Sequence, residues 1–270
     1  MDFGVEVESI VAVAVLVAVV AFFYSNLGLG GGQLYVPIMV LFFASADLGM
    51  KDIVPLSLTL AFVTMASSTF THARKGLVDF KLGIQLAVAG LIGVIGGVLF
   101  TSNVDDDVIK GAFAIMLVLV ATKMIYDIYR GRKDNSTSPS HFSKRLILGG
   151  MGISIITGFL IGSFGIGGGV VSVPLIIYIF KTEARRAIGT SALMGAILTP
   201  AAFVAYALNS GQGVVIHYDI ALVLAPIVLV FALIGSTWGL EKLRTKTVKT
   251  IFTCGVYLAA AVMIYNMLFQ

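Results

Sequence analysis

Residues 28–37 read GLGGGQLYVP and residues 165–174 read GIGGGVVSVP, so a Gly-x-Gly-Gly-Gly-x-x-x-Val-Pro run occurs once in each half of a 270-residue chain. The chain reads as a duplicated unit. Four glycines in five positions free the backbone to break a helix inside an apolar stretch. A half-helix starting just beyond the break then aims unpaired N–H groups at whatever lies there. Two such half-helices converging from opposite sides would bind a small oxyanion without a full counter-charge. The candidate site residues are Gly28, Gly30, Gly31 and Gly32 with Gly165, Gly167, Gly168 and Gly169, and the polar neighbours Ser25, Asn26, Gln33, Tyr35, Ser163 and Ser172. The competing reading of a glycine in an apolar run is helix packing, and it fits Gly90, Gly93, Gly96, Gly97, Gly149 and Gly152. At the two motifs a break is the better account, because so dense a cluster costs more helix propensity than packing requires. Pro37 and Pro174 follow shortly after, within the first turns of a new helix, where proline is expected to cost little. The polar side chains have an alternative role in interhelical bonds or local capping.

The elements that must position these residues are membrane spans. The chain is 58% hydrophobic and 12% charged with a mean hydropathy of +1.01, whereas soluble domains are about 25% charged. Its natural solvent is the lipid bilayer. The net charge of +4 comes from 18 Lys and Arg that lie in short loops between apolar runs, where they act as topology signals and not as a nucleic-acid surface. The single cysteine, Cys254, excludes an internal disulfide and a Cys-rich metal site and is expected to be a small core residue. No His, Cys or carboxylate cluster has metal-ligand spacing, so no metal and no cofactor is expected. Asp2, Glu6 and Glu8 stand where a cleaved leader would carry Lys or Arg, so the first apolar run is expected to remain as a membrane segment.

Apolar runs of about 20 residues fall at 8–27, 52–71, 80–101 and 108–129, then again at 145–164, 185–208, 218–240 and 246–268, with shorter pieces at 33–44 and 170–180 after the glycines. If 8–44 were one crossing, the basic loop with Arg74, Lys75 and Lys81 and the acidic loop Asp105, Asp106 and Asp107 would lie on the wrong sides. If the chain turns back at the glycines, those basic residues and Arg130, Arg132, Lys133, Lys144 and Arg145 face inside, while the acidic loop and both chain ends face outside. Each half is then a hairpin plus three crossings, and an odd number of crossings inserts the two halves in opposite orientations. The expected fold is an all-α polytopic membrane protein of two inverted-topology repeats, 1–130 and 145–270, each a Gly-broken helix hairpin plus three transmembrane helices, joined by a polar cytoplasmic linker at 131–144. Gly96 with Gly235, Lys110 with Lys249 and Phe113 with Phe252 recur at one common offset and extend the repeat.

Thr190 and Ser191, just beyond Arg185 and Arg186, would present two hydroxyls to the same interior, with Ser57 and Thr59 as their nearest counterparts; the alternative is bonding back to the preceding helical turn. Lys123 and Asp127, four residues apart, read as a pair that snorkels at a span end, with a proton relay as the alternative. His72, His141 and His217 have no partners at ligand spacing and read as structural. Asp79 and Asp219 each open a span and are placed to cap it. Tyr126, Tyr129 and Trp238 fall at the proposed inner boundary, as interface anchors do.

The paired glycine motifs, the RAIGTSA run at 186–192 and the GLVD turn at 76–79 resemble the TauE/SafE family of sulfite exporters, also called toluene sulfonate uptake permeases. The resemblance covers nearly the whole chain. It implies a multi-pass transporter of the cell membrane for sulfur-containing anions such as sulfite, thiosulfate, sulfoacetate or other organosulfonates. The first copy departs from the second after its proline, reading MKDIVPLS at 50–57 where the second has the Gly-Thr-Ser run. Two other function classes compete: an anion channel, and a membrane-embedded enzyme or scaffold. An enzyme needs a nucleophile with a base, paired carboxylates or metal ligands in register, and none is visible. Paired breaks in an inverted repeat fit alternating access better than a permanent pore. A homo-oligomer is compatible with the sequence. So is a coupling proton or sodium ion, which import needs and export does not, since an anion leaving a negative-inside cell runs downhill by about 2.3 kcal/mol per charge per 100 mV.

Overall fold

The computed structural model describes residues 7–43, 48–129, 143–209, 215–242 and 254–265, with the side chains of 123–129 and 239–242 left out of the description. Among the described residues every regular element is a helix: α1 (Val7–Leu27), α2 (Gly32–Phe42), α3 (Met50–Arg74), α4 (Phe80–Asn103), α5 (Asp106–Tyr129), α6 (Lys144–Phe164), α7 (Gly169–Ile179), α8 (Ala184–Leu208), α9 (Tyr218–Lys242) and α10 (Cys254–Tyr265). Six of them, α1, α3, α4, α6, α8 and α9, are long and apolar enough to cross a bilayer, and α5 is a further helix of 24 residues. Helices are what the composition demands, because a spanning segment must satisfy its backbone polar groups internally. The chain is an all-α polytopic membrane protein. The linker, the chain ends, Arg130, Arg132, Lys133, His141, Lys249, Phe252 and the side chains of Lys123, Tyr126, Asp127 and Tyr129 lie outside the description.

Four helices of the first half match four of the second in order and length. Helices α1, α2, α3 and α4 have 21, 11, 25 and 24 residues, and α6, α7, α8 and α9 have 21, 11, 25 and 25. Packing partners match as well: α4 lies on α6 as α9 lies on α1, α3 on α9 as α8 on α4, and α3 packs on its counterpart α8. Contacts along these pairs set their relative directions. The Asp52 carboxylate accepts from the Val215 N–H at 3.1 Å at the start of α3 and α9, and the Thr71 and Ser236 hydroxyls meet at 2.8 Å near their ends. These two helices are therefore parallel, and about 28 Å separates the two ties along α3 at 1.5 Å per residue, close to the thickness of a hydrocarbon core. Helix α8 runs against α3, since Gly189 sits beside His72 and Gly195 beside Met65.

Close packing between α4 and α6 is set by glycine. A β carbon on Gly93 would fall on the Ile155 carbonyl, one on Gly97 on the Phe159 carbonyl, and one on Gly158 on the Gly90 carbonyl. The packing role expected of Gly90, Gly93 and Gly97 holds; that of the other three needs correction. Gly149 and Gly152 meet no neighbour within 4 Å and Gly96 has only the edge of the Phe159 ring at 3.7 Å, because they lie off the face that α4 and α6 share. Gly158 and Gly162 share that packing, with Gly162 set against Val94 and Val98.

The outer surface is apolar, as a lipid-facing surface is: Ile92, Leu119, Leu148 and Leu222 are each about two-thirds or more exposed. Cys254 is exposed as well, which corrects its expected place in the core. On α10 the buried face is made by Val256, Ala259, Ala260 and Met263, and helical spacing turns Cys254 away from it. Asp79 caps α4 as its position suggested, its carboxylate accepting from the Leu82 N–H at 3.0 Å. Trp238 is half exposed, its ring 5.9 Å from that of Phe22.

Candidate functional site

Both glycine motifs break the helix. Gly31 precedes α2 with φ 84° and Gly168 precedes α7 with φ 79°, the left-handed region that L side chains rarely enter. From there the new helices start alike. The Leu34 and Tyr35 N–H groups donate to the Gly31 carbonyl at 2.8 and 3.0 Å, and those of Val171 and Ser172 donate to the Gly168 carbonyl at 3.2 and 3.1 Å. The N–H groups of Gly32, Gln33, Gly169 and Val170, in the first turns, have no acceptor within their own helices.

The two breaks touch. A β carbon on Gly30 would land on the Gly167 α carbon and the reverse substitution on that of Gly30; one on Gly32 would meet the Gly165 carbonyl and one on Gly169 the Gly28 carbonyl. Glycine backbone fills the crossing, and the Met65 methyl closes it from the side, within reach of β carbons on Gly30, Gly167 and Gly195. Each break is held by the long helix of the opposite half. Ser57 on α3 donates to the Gly165 carbonyl at 3.0 Å, and Ser191 on α8 donates to the Gly28 carbonyl at 3.5 Å.

The proline expectation needs adjustment. Pro37 is the sixth residue of α2 and Pro174 the sixth of α7, beyond the first turn where an N–H has no partner anyway. Each therefore leaves the carbonyl four residues earlier, on Gln33 and Val170, without its helical donor.

The flanks of the crossing differ. In the first half Gln33 is 1% exposed and its carboxamide lies beside the Tyr24 hydroxyl. The Tyr35 ring packs on Gly31 and its hydroxyl meets the Thr64 hydroxyl at 2.9 Å. In the second half the same positions are Val170, Ile161 and Ser172, with Leu198 in the place of Thr64, and it is the Ile161 side chain that packs on Gly168. The other candidates take structural bonds. Ser25 donates to the Phe22 carbonyl at 3.3 Å, Ser163 to the Gly97 carbonyl at 3.3 Å, and Thr190 accepts from the Asp79 N–H at 3.0 Å. Thr59 bonds back to the Pro55 carbonyl at 3.1 Å. Asn26 is buried at the end of α1 and Ser172 in the first turn of α7. Sequence reasoning missed Tyr24, Thr64 and Met65. Tyr24 lay one turn ahead of Gly28 and was within reach of it, whereas Thr64 and Met65 carry no local signal.

Among the described residues the buried polar side chains are Ser, Thr, Asn, Gln and His72, with no carboxylate, Lys or Arg. The polar capacity at the crossing is therefore electrically neutral, made of amides, hydroxyls and helix N-termini.

Paired helix breaks buried inside a bundle whose outer surface is apolar define the class of multi-pass membrane transporters. The comparisons with known proteins agree. The family model for the sulfite exporter TauE/SafE matches residues 13–263, and the chain belongs to that family. It is 30% identical to a probable membrane transporter protein of Methanocaldococcus jannaschii over 212 residues, covering 77% of this chain and 76% of that one. It is 28% identical to the probable membrane transporter protein YunE of Bacillus subtilis over 264 residues, covering 91% and 94%. No solved structure gave a significant match.

Proposed function

We propose that the protein carries small sulfur-containing anions, such as sulfite, thiosulfate, sulfoacetate or other organosulfonates, across the cell membrane by alternating access, with the anion bound beside the crossing of the two glycine breaks. The observation that carries this reading is the reciprocal hold on the breaks: Ser57 of the first half on Gly165 of the second, and Ser191 of the second on Gly28 of the first. Each break is fastened to the opposite half, so a rocking of one half against the other would load both ties at once. The opposed directions of α3 and α8 support reading 1–130 and 145–270 as inverted repeats, the arrangement in which such rocking exchanges the open side. A neutral site of N–H and hydroxyl donors suits an anion. Efflux of an anion down the membrane potential needs no coupling ion.

The test is thermal stabilisation of the purified protein by sulfite, thiosulfate, sulfate, sulfoacetate, taurine, phosphate and chloride, followed by counterflow in proteoliposomes. A ligand that binds the folded state raises its apparent stability by mass action. A shift confined to sulfur oxyanions or sulfonates, with saturable counterflow, supports the reading. A shift only from chloride, phosphate or a cation overturns it, and flux without saturation or counterflow makes the protein a channel.

A further inference from the structure

We infer that the first half supplies the stronger polar grip on the anion, through Gln33 and the first turn of α2, and that this grip selects singly charged oxyanions over doubly charged ones. The inference rests on the anion-carrier reading above and narrows it.

Two independent observations converge on α2. The first is its N-terminus: an 11-residue helix whose opening N–H groups face the break, with the Gly32 and Gln33 donors left over after Leu34 and Tyr35 have used the Gly31 carbonyl. The second is the Gln33 side chain. A carboxamide has two donors and an acceptor oxygen with two lone pairs. Gln33 is 1% exposed, neither its nitrogen nor its oxygen has a partner of good hydrogen-bond geometry, and the Tyr24 hydroxyl lies beside its carboxamide. Tyr24 can meet at most a part of that capacity. Burying an amide without full partners costs about 1–3 kcal/mol, a cost that goes unexplained if Gln33 only packs. An oxyanion lying across the α2 N-terminus would accept from the Gln33 amide N–H and from the backbone donors together.

The second half has no carboxamide to match. Val170 stands where Gln33 does and Ile161 where Tyr24 does, so the first turn of α7 keeps the buried Ser172 hydroxyl but has no carboxamide beside it. The pair of breaks is symmetric in backbone and one-sided in chemistry.

Charge selection follows from what is not buried there. The buried polar side chains among the described residues include no Lys or Arg, so among these residues an anion beside the crossing, at the α2 N-terminus, meets dipoles and no buried counter-charge. The desolvation cost of an ion grows with the square of its charge, and without a buried counter-charge a dianion meets about four times the cost of a monoanion. The dipoles of one helix N-terminus and one carboxamide grow only in proportion to charge. The balance favours R–SO3⁻ and hydrogensulfite over sulfate and thiosulfate.

The experiment is a thermal-shift titration of the full chain with methanesulfonate, sulfate and thiosulfate at matched ionic strength, repeated on Gln33→Met, which keeps the side-chain length and removes its hydrogen bonds. The expected result is saturable stabilisation by methanesulfonate at a concentration at least about tenfold below any effect of sulfate or thiosulfate, and at least about a tenfold weaker response in Gln33→Met. The comparison of anions on the unaltered protein decides the matter even if that variant fails to fold. Stabilisation by sulfate or thiosulfate equal to that by methanesulfonate, or an undiminished methanesulfonate response in folded Gln33→Met, overturns the inference while leaving a sulfur-anion carrier in place. No stabilisation by any sulfur anion overturns both.

Discussion

The Ser57 hydroxyl donates to the Gly165 carbonyl at 3.0 Å across the two halves of the chain, 108 residues apart in sequence. Its counterpart, Ser191 on Gly28, has lengthened to 3.5 Å, the outer limit of a useful hydrogen bond. The two breaks are thus held with unequal strength. Ser57→Ala should cost about 1 kcal/mol, and Ser191→Ala a smaller fraction, read as melting temperatures of the purified variants. Equal losses, or a larger loss for Ser191→Ala, would contradict that ranking.

At the crossing itself there is no room for one methyl group. Gly30→Ala and Gly167→Ala each set a β carbon on the opposite backbone, and overpacking of that kind costs about 1–3 kcal/mol. Both variants should lose transport while membrane insertion, judged by protein level in the membrane fraction, persists. Gly149→Ala and Gly152→Ala, with open space around them, should be neutral or more stable by up to about 1 kcal/mol through helix propensity. Normal transport by Gly30→Ala would remove the close crossing from the mechanism.

Much of this arrangement is legible in the chain, and the part that is not has a physical reason. Apolar runs and capping residues are local signals, so α1, α3, α4, α6, α8 and α9 sit within a few residues of their expected bounds, and Asp79 caps α4. The glycine motifs announce the breaks because residues with side chains rarely adopt the left-handed backbone found at Gly31 and Gly168. Contacts between distant helices leave no local mark. Nothing around Met65 says that its methyl seals the crossing, and nothing in a GxxxG-like spacing says which face meets a neighbour, which is why Gly149 and Gly152 read like Gly93. The difference between the two flanks was in plain view as Gln33 against Val170, but its weight appears only when burial shows that Gln33 has no water to turn to.

The hydroxyl pair beside the first break tests how dry that region is. Tyr35 meets Thr64 at 2.9 Å, and the Thr64 hydroxyl also donates to the Leu60 carbonyl at 2.9 Å. Its one proton is thereby committed, so Tyr35 is the donor in their bond. Tyr35→Phe removes one donor and leaves Thr64 still bonded to its own helix, costing about 1 kcal/mol. Thr64→Val leaves a buried phenol O–H without its acceptor, costing about 1–3 kcal/mol. Chemical or thermal denaturation of the two variants should rank them in that order. The reverse order would mean that Tyr35 finds water when Thr64 is gone.

The directions of the helices make a prediction about sidedness that does not depend on any ligand. Asp52 with Val215 and Thr71 with Ser236 tie α3 and α9 at both ends, so the exposed residues Lys75 and Val215 lie at opposite ends of one parallel pair. If the chain turns back at the glycines, the basic end is cytoplasmic by the positive-inside rule. In a Cys254→Ser background, single cysteines at Lys75 and Arg185 should then be shielded from an impermeant maleimide in intact cells, and cysteines at Asp105 and Val215 should react. Permeabilised cells should label all four. Were 8–44 one crossing, the pattern would invert: Lys75 would react in intact cells and Asp105 would not. Labelling of both Lys75 and Val215 from outside would contradict the parallel pair itself, because two ends about 28 Å or more apart along α3 cannot both lie on one face of a bilayer.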